Sequence, residues 1–271
     1  MFLPRTSWRA ARVIVAGALA LSLASASASA DVVRATYKVS LIGLPIGVAS
    51  LNATLTPTSY AIDASAKITG LATIFARARG ASTGEGAIVD NRIVPATFAT
   101  IASNAYMTRT IRMLLSANAV RGVDISPPYE ERPDRVPLTE KDKRGIVDPV
   151  GAVVVPAPPK GPLVGPGACD RTIPVFDGYT RFDVQLAYVG QRDVSTKGYN
   201  GPVAVCAVRY VPIAGHRRDR PATKFMAENK DLEVWLAPVE SARVLLPFRV
   251  SARTMIGTTV IEASEFSLAA N

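Results

Sequence analysis

Metal-binding side chains are scarce in this 271-residue chain, which contains one histidine and two cysteines. A metal site of ordinary composition needs several imidazole or thiolate ligands, so we predict no bound metal and no cofactor. The sequence also lacks an EF-hand calcium loop and a glycine-rich phosphate loop. Only 7% of the residues are aromatic. Because no nucleic-acid-binding motif is present either, we predict no nucleic-acid partner.

Long apolar runs are scarce too, and the one candidate lies near the start of the chain, from Val13 to Ala24. Three arginines and no acidic residue precede it, and the small-residue tract SASASA follows it. This order is typical of a secretory signal peptide. We predict that residues 1–30 are removed before Asp31 and that the mature protein lies in the periplasm. The alternative is a permanent anchor, but a spanning helix needs about 20 strongly apolar residues.

The two cysteines, Cys169 and Cys206, each stand next to a strand-like segment. Cysteines of an exported protein are expected to pair, because the compartment is oxidising. We therefore predict a structural disulfide, worth about 4 kcal/mol on the chain-entropy model. Two buried free thiols are the alternative. A redox-active pair would need the C-x-x-C spacing that the sequence lacks.

Alternation of apolar and polar residues dominates the chain beyond the signal peptide. In the segment TRFDVQLAYVG, for example, Phe182, Val184, Leu186 and Tyr188 share one face. The segments VVRATYKVSLIG and TSYAIDASAKITG show the same pattern. Strands with one apolar and one polar face are typical of antiparallel sheets, so we predict an all-β fold.

Proline interrupts this pattern in the middle of the chain, where eleven of the twenty prolines lie between positions 127 and 174. Proline cannot donate the hydrogen bonds that join strands. We therefore predict an ordered crossover at 127–168 between two β halves, 31–126 and 169–271. The two halves are predicted to share one core in a single domain. Two independent domains are the alternative.

The motif GASTG at 80–84 matches the G-x-S-x-G pattern of serine hydrolases, with Ser82 at the nucleophile position. That chemistry requires a strand-to-helix turn, a histidine base and an orienting acid. The flanks of Ser82 are typical of strand and turn, and the only histidine, His216, stands beside arginines. We interpret the motif as a chance match and predict no enzymatic activity and no catalytic residue. A hydrolase that uses Ser82 is the alternative.

Basic residues exceed acidic ones by nine. About +6 of this charge remains once the three arginines of the predicted signal peptide are removed. The only dense basic cluster is GHRRDR at 215–220. A solvated loop would explain it without a binding role. The alternative is a contact with anionic lipid head groups or with a cell-wall polymer.

The segment VDPVGAVVV favours a short central helix with Asp148 as N-cap and Pro149 at the first helical position. It resembles the central D-P-x-S-A segment of the exported bacterial domain-of-unknown-function 3108 family, which usually has a small hydroxyl residue where this chain has Gly151. The hairpin YKVSLIGLPIGVASL resembles the first hairpin of that family. IPVFDGYTRFDVQL and LEVWLAPVESARVLLPFRVSARTMIG resemble its later strands. The likeness covers nearly the whole predicted mature chain.

The resemblance implies a periplasmic protein of unknown activity, built as a partly open antiparallel β-barrel or strongly curved sheet around a short central helix. It transfers no catalytic residue. We expect a non-catalytic binding or scaffold protein in cell-envelope maintenance, whose partner is an envelope protein, a lipid or a cell-wall component. The alternative is a carrier that holds a lipid or another apolar ligand in a β-barrel cavity.

Overall fold

Fourteen strands occupy the part of the chain that the computed structural model describes, which is residues 1–2, 30–74 and 76–270. The predicted signal peptide lies almost wholly outside the described residues. The first half contributes β1 (Asp31–Leu41), β2 (Leu44–Leu55), β3 (Ser59–Ile68), β4 (Ala78–Val89), β5 (Arg92–Asn104), β6 (Thr108–Ser116) and β7 (Ala119–Ser126). The crossover contributes β8 (Val155–Pro156). The second half contributes β9 (Arg171–Phe176), β10 (Arg181–Thr196), β11 (Tyr199–Ala214), β12 (Leu232–Val239), β13 (Val244–Thr254) and β14 (Gly257–Ala270).

All fourteen strands belong to one sheet, in the order β7-β6-β5-β4-β3-β2-β1-β14-β13-β12-β11-β10-β9, with β8 beside β13. Most neighbours in the sheet are also neighbours in sequence, and each of these pairs is antiparallel. Two pairs are not neighbours in sequence: β8 pairs with β13, and β1 pairs with β14 as well as with β2. This pairing joins the first strand to the last, so one continuous sheet runs through both sequence halves. The predicted all-β antiparallel fold is confirmed.

Local irregularities bend the sheet. Register shifts interrupt the pairing of β1 with β14, of β4 with β5 and of β10 with β11. A bulge places two residues opposite one and increases the local twist. At Gly86, beside the shift in β4, a Cβ atom would lie 2.4 Å from the carbonyl oxygen of Val94. Only glycine permits so close an approach of the two strands.

The crossover fills the gap between the edge strands, β7 and β9. The backbone nitrogen of Ile146 donates to the carbonyl oxygen of Asn118, just before β7, at 3.0 Å. The backbone nitrogen of Val147 donates to the carbonyl oxygen of Pro174, in β9, at 2.8 Å. Among the described residues no ladder joins β7 to β9 directly, so the sheet is not closed. The predicted partly open barrel or strongly curved sheet is confirmed.

The central helix of the crossover is one turn of 3-10 helix, Gly151–Val153. Its N-cap is Val150 and not Asp148, because the Asp148 carboxylate forms a turn just ahead of the helix. The remaining helices are also short: the 3-10 helices Gly70–Ile74 and Glu140–Lys143, α1 (Pro166–Cys169) and α2 (Pro221–Glu228). The alternation of apolar and polar residues does not predict α2, which lies between β11 and β12.

Buried apolar side chains form two clusters. The larger joins strands of the first half, the crossover and strands β9 and β11 to β14 of the second half, and it includes Val33, Leu55, Phe98, Val150 and Phe266. The smaller lies between the crossover and strands β10 to β13, and includes Cys169, Leu186, Cys206, Leu236 and Leu245. The crossover contributes to both clusters, and it therefore packs as part of the core although it is rich in proline.

Candidate ligand-binding site

An apolar cavity of about 270 Å³ lies between the crossover and strands β9 to β13. Small-molecule sites commonly measure about 300–1,000 Å³, so this cavity is close to the lower limit. All of its lining residues in the described chain are apolar; they include Val153, Val175, Val184, Leu186, Val208 and Val250. An unpaired polar group would lose its hydration here without gaining a hydrogen bond. The cavity therefore suits an apolar chain.

The alternation in β10 builds one wall of this cavity. Phe182, Val184 and Leu186 share one face of the strand, and all three line the cavity. In the sheet register, Val184 lies opposite Ile173 of β9, and Leu186 lies opposite Val208 of β11. Residues opposite each other in antiparallel strands project to the same face. Three strands therefore present apolar side chains to one space.

The structure contains the predicted disulfide between Cys169 and Cys206. Both cysteines are fully buried, and they pack in the same cluster as Leu186 and Leu236, which line the cavity. The bond ties α1, at the end of the crossover, to β11. It thus fixes the crossover beside the sheet face that forms the cavity wall.

A polar cleft of about 570 Å³ lies beside the cavity, formed by the β5–β6 turn, the chain after β7, the β9–β10 turn and the end of β11. Three tyrosines and four arginines line it: Tyr129, Tyr179, Tyr210, Arg109, Arg132, Arg217 and Arg220. The acidic residues in its lining are Glu130 and Asp177. Asp177 already accepts hydrogen bonds from the backbone nitrogens of Tyr179 and Thr180. The lining is therefore cationic overall and favours an anionic group.

Guanidinium groups and aromatic rings stack along the cleft in the order Arg109, Tyr129, Tyr179, Arg135. The ring centroids of the two tyrosines are 3.9 Å apart. The guanidinium carbons of Arg109 and Arg135 lie 3.7 and 3.8 Å from the centroids of Tyr129 and Tyr179. Each such cation–π contact contributes about 0.5–2 kcal/mol. The stack fastens the start of the crossover to β6 and to the β9–β10 turn.

The basic cluster GHRRDR contributes four residues to the cleft, Gly215, His216, Arg217 and Arg220. Arg217 donates through Nε to both carboxylate oxygens of Asp134 at 3.0 Å, which holds the pKa of Asp134 below its ordinary value. Burial lowers the pKa of His216, so its ring is neutral at pH 7. Arg220 forms no ion pair with any described residue. Of the cluster, Arg220 is thus the cation best placed to receive a ligand.

Phe182 and Tyr210 join the cavity to the cleft. Their ring centroids are 5.2 Å apart, and Phe182 lines the cavity whereas Tyr210 lines the cleft. The two spaces therefore form one amphipathic site, apolar on one side and cationic on the other. Its chemistry matches a molecule that has both an apolar chain and an anionic head.

Tyr60 and Asp148 form a second polar pair, buried where the crossover packs on the first half. The Tyr60 hydroxyl oxygen and Asp148 Oδ2 lie 2.8 and 2.9 Å from the position that a Cβ atom on residue 151 would take. Burial raises the pKa of both side chains, and the Asp148 charge raises that of Tyr60 further. Because Asp148 has no exposed surface, we assign the pair to the core and not to the ligand site.

Ser82 lies within β4 and not on a strand-to-helix turn. Its Oγ donates a 2.8 Å hydrogen bond to Oγ1 of Thr100 in β5. His216 instead belongs to the cleft at the end of β11, and the structure gives Ser82 and His216 no hydrogen bond to each other among the described residues. The structure therefore does not bring the candidate nucleophile and base together.

The described part of the chain contains no group of three or more histidine, cysteine, aspartate or glutamate side chains that could hold a metal ion. None of the helices within residues 30–74 and 76–270 combines the length and hydropathy that crossing a bilayer requires.

Sequence reasoning missed the aromatic part of the cleft. Tyr129 lies in the proline-rich segment PPYEERPDR, and Tyr179 lies in the turn DGYT. Neither segment has periodicity, so nothing in the sequence indicates that the two loops meet. The GHRRDR cluster was the one visible signal of a cationic site.

Comparison with known proteins gives a family and a fold. The model of a family described as "Protein of unknown function (DUF3108)" matches residues 36–264, which confirms the resemblance noted in the sequence. No curated protein matches the chain. The fold is similar to the crystal structure of a β-barrel-like protein of domain of unknown function DUF1849 from Brucella abortus, with a TM-score of 0.51 and 9% identity over 90% of this chain and 100% of that chain. At this identity the likeness concerns the fold alone.

Proposed function

The chain belongs to the DUF3108 family of proteins of unknown function, and we propose that it is a non-catalytic binding protein of the cell envelope that carries an anionic amphiphile. The observation that carries this proposal is the apolar cavity that meets the cationic cleft across Phe182 and Tyr210. An acyl chain would occupy the cavity, and a phosphate or carboxylate head would lie near Arg220. A ligand can enter a partly open sheet without breaking hydrogen bonds between strands, because the sheet is not closed into a barrel.

The proposed location rests on the disulfide and on the sequence start. A buried disulfide fits a protein that folds in an oxidising compartment. The basic start and the short apolar run are typical of an export signal. We therefore propose that the protein acts in the periplasm, where the expected scaffold role in envelope maintenance stays a prediction. Binding of a lipid would connect the protein to the envelope without an enzymatic step.

Binding of a fluorescent fatty acid would test the site. The chain beginning at Asp31 is titrated with 11-dansylamino-undecanoic acid, and the rise in dansyl fluorescence gives the affinity. Val184→Phe fills the cavity and is expected to weaken binding about tenfold or more, because an acyl segment loses its apolar surroundings. Ala187→Phe, on the exposed face of the same strand, is the matched control and should leave binding unchanged.

The head-group end is tested separately with Arg220→Glu. This change reverses a charge at the cleft and should weaken binding of the fatty acid more at low salt than at high salt. Arg121→Glu, an exposed charge reversal in β7 outside the cleft, should have no effect.

If wild type, Val184→Phe and Ala187→Phe all bind the fatty acid equally well, the cavity is not the binding site. Native mass spectrometry of gently purified protein should also show a bound lipid.

A further inference from the structure

Apolar side chains are concentrated at one end of the sheet, in the turns and at the first residue of β2. Seven of them are between 60% and 97% exposed: Ile42, Leu44, Leu71, Ile74, Tyr106, Met255 and Ile256. We call this set the apolar rim. Single exposed apolar residues are normal on a protein surface, but a contiguous group marks an interaction site.

The rim is contiguous because its four segments are neighbours in the sheet. The β13–β14 turn meets the β1–β2 turn through the backbone nitrogen of Ile42, which donates to the carbonyl oxygen of Thr258 at 2.9 Å. The β1–β2 hairpin in turn contacts the β3–β4 connection, where the Thr69 nitrogen donates to the Ile46 carbonyl oxygen at 3.0 Å. The β5–β6 turn follows, since Ala78 at the start of β4 pairs with Asn104.

The opposite end of the same strands has a different composition. Its turns are 56–58, 90–91, 117–118, 197–198 and 240–243, and none contains Val, Leu, Ile, Met, Phe, Tyr or Trp. In a meander, successive turns alternate between the two ends of the sheet, so both ends face the same folding requirements. The difference between them therefore points to a contact made by one end only.

Ile42 shows most clearly that local structure does not explain the rim. Its φ is 50°, a left-handed conformation that a β-branched residue rarely adopts and that Asn or Gly adopts readily. The corresponding turn at the other end uses Asp90 and Asn91 for the same conformation. Ile42 is also 68% exposed, so burial in this chain does not offset the strain. An apolar contact with a surface outside the chain would offset this strain.

The charges around the rim identify the kind of surface it fits. The segments 40–47, 67–80, 103–110 and 253–259 contain five basic residues, Lys67, Arg77, Arg79, Arg109 and Arg253, and no acidic residue. Of these, Arg253 pairs with Asp231 from outside the segments, at 3.2 Å. Exposed apolar side chains beside an excess of basic residues are the composition that inserts into the interface of an anionic bilayer. We infer that the apolar rim docks the protein on the surface of an anionic lipid membrane.

This docking surface adds to the proposed carrier site and does not depend on it. Met107, in the same turn as Tyr106, lines the cationic cleft. The cleft and the rim therefore adjoin at one end of the sheet. A protein docked through the rim would hold the head-group end of its binding site against the membrane.

Vesicle flotation tests the inference with the chain that begins at Asp31, which contains every described strand. Vesicles of phosphatidylcholine alone are compared with vesicles of equal parts phosphatidylcholine and phosphatidylglycerol. Wild type should float with the anionic vesicles and much less with the neutral ones. Ile42→Asn combined with Leu71→Ser should lower the bound fraction about tenfold, because two apolar contacts with the bilayer are lost.

The matched control is Leu114→Ser, which removes a side chain of similar exposure (61%) near the other end of β6. It should bind vesicles as wild type does. Ile42→Asn should also raise, not lower, the urea midpoint, because Asn adopts the left-handed turn more readily; weaker flotation is then not a folding defect. Arg77→Glu with Arg79→Glu should abolish the preference for anionic vesicles.

Three results would overturn the inference: no flotation of wild type with either vesicle, equal loss in Leu114→Ser and in the rim variant, or a wild-type dimer in solution that the rim variant converts to a monomer. The last would identify the rim as a protein–protein interface. Val184→Phe separates this inference from the carrier proposal, because it should lose fatty-acid binding and keep vesicle binding.

Discussion

The backbone nitrogen of Val150 donates a 2.8 Å hydrogen bond to Oδ1 of Asp148, a carboxylate with no exposed surface. The Gly151 nitrogen donates a second, at 2.9 Å. These bonds favour the ionised carboxylate, but burial opposes it more strongly, and the pKa of Asp148 is raised. The crossover is thus held at its centre by a group whose ionisation is costly in the folded state.

This relationship predicts how stability depends on pH. Because the pKa of Asp148 is higher in the folded than in the unfolded chain, its stabilising contribution is complete below the ordinary aspartate pKa of about 3.9 and is lost as pH rises through the folded value. Asp148→Asn keeps an oxygen acceptor but cannot ionise. We expect the free energy of unfolding of Asp148→Asn, relative to wild type, to increase with pH over that interval and then to level off.

Urea titrations followed by circular dichroism, at several pH values from 3.5 upward, measure the difference directly. Asp134→Asn is the comparison, because the pKa of Asp134 is lowered and its ion pair with Arg217 should give the opposite trend. A difference between Asp148→Asn and wild type that does not vary with pH would contradict the assignment.

Gly151 is predicted to tolerate no side chain. A Cβ atom there would lie 2.8 Å from the Tyr60 hydroxyl and 2.9 Å from Asp148 Oδ2, inside a closely packed region. Gly151→Ala should therefore lower the free energy of unfolding by about 1–3 kcal/mol. Gly122→Ala in β7, where a Cβ meets nothing within 4 Å, is the control and should change it by less than about 0.5 kcal/mol. A neutral Gly151→Ala would mean that the crossover can move away from the first half.

Much of the fold could be predicted from the sequence, because apolar residues at every second position, such as Phe182, Val184 and Leu186, indicate a strand by themselves. The cavity wall follows from that pattern. The cleft does not, because the stack of Tyr129 on Tyr179 requires two aperiodic loops to meet across the sheet. The apolar rim could not be predicted from the sequence either. Ile42 and Ile256 lie in separate turns, and only the topology of the sheet shows that these turns are neighbours.

The disulfide is predicted to stabilise the fold by closing the loop between residues 169 and 206, which restricts the unfolded chain. Replacing both Cys169 and Cys206 with alanine should lower the free energy of unfolding by about 4 kcal/mol. Guanidinium titration measures the loss, and wild type titrated with a reductant present should show nearly the same midpoint as the double variant. Unchanged stability in the variant would indicate that the buried contacts around the sulfurs hold the crossover without the bond.

Ser82 is predicted to be chemically inert. Its hydroxyl donates to Thr100 inside a sheet, and a serine without a general base is a weak nucleophile. A fluorophosphonate probe, which labels activated serines, should leave the protein unmodified under conditions that label trypsin completely. Ser82→Ala should change the urea midpoint little, because the hydrogen bond it removes is half-exposed and contributes only about 1 kcal/mol. Labelling of wild type that Ser82→Ala abolishes would show an activated nucleophile at this position, and the protein would then have to be considered an enzyme.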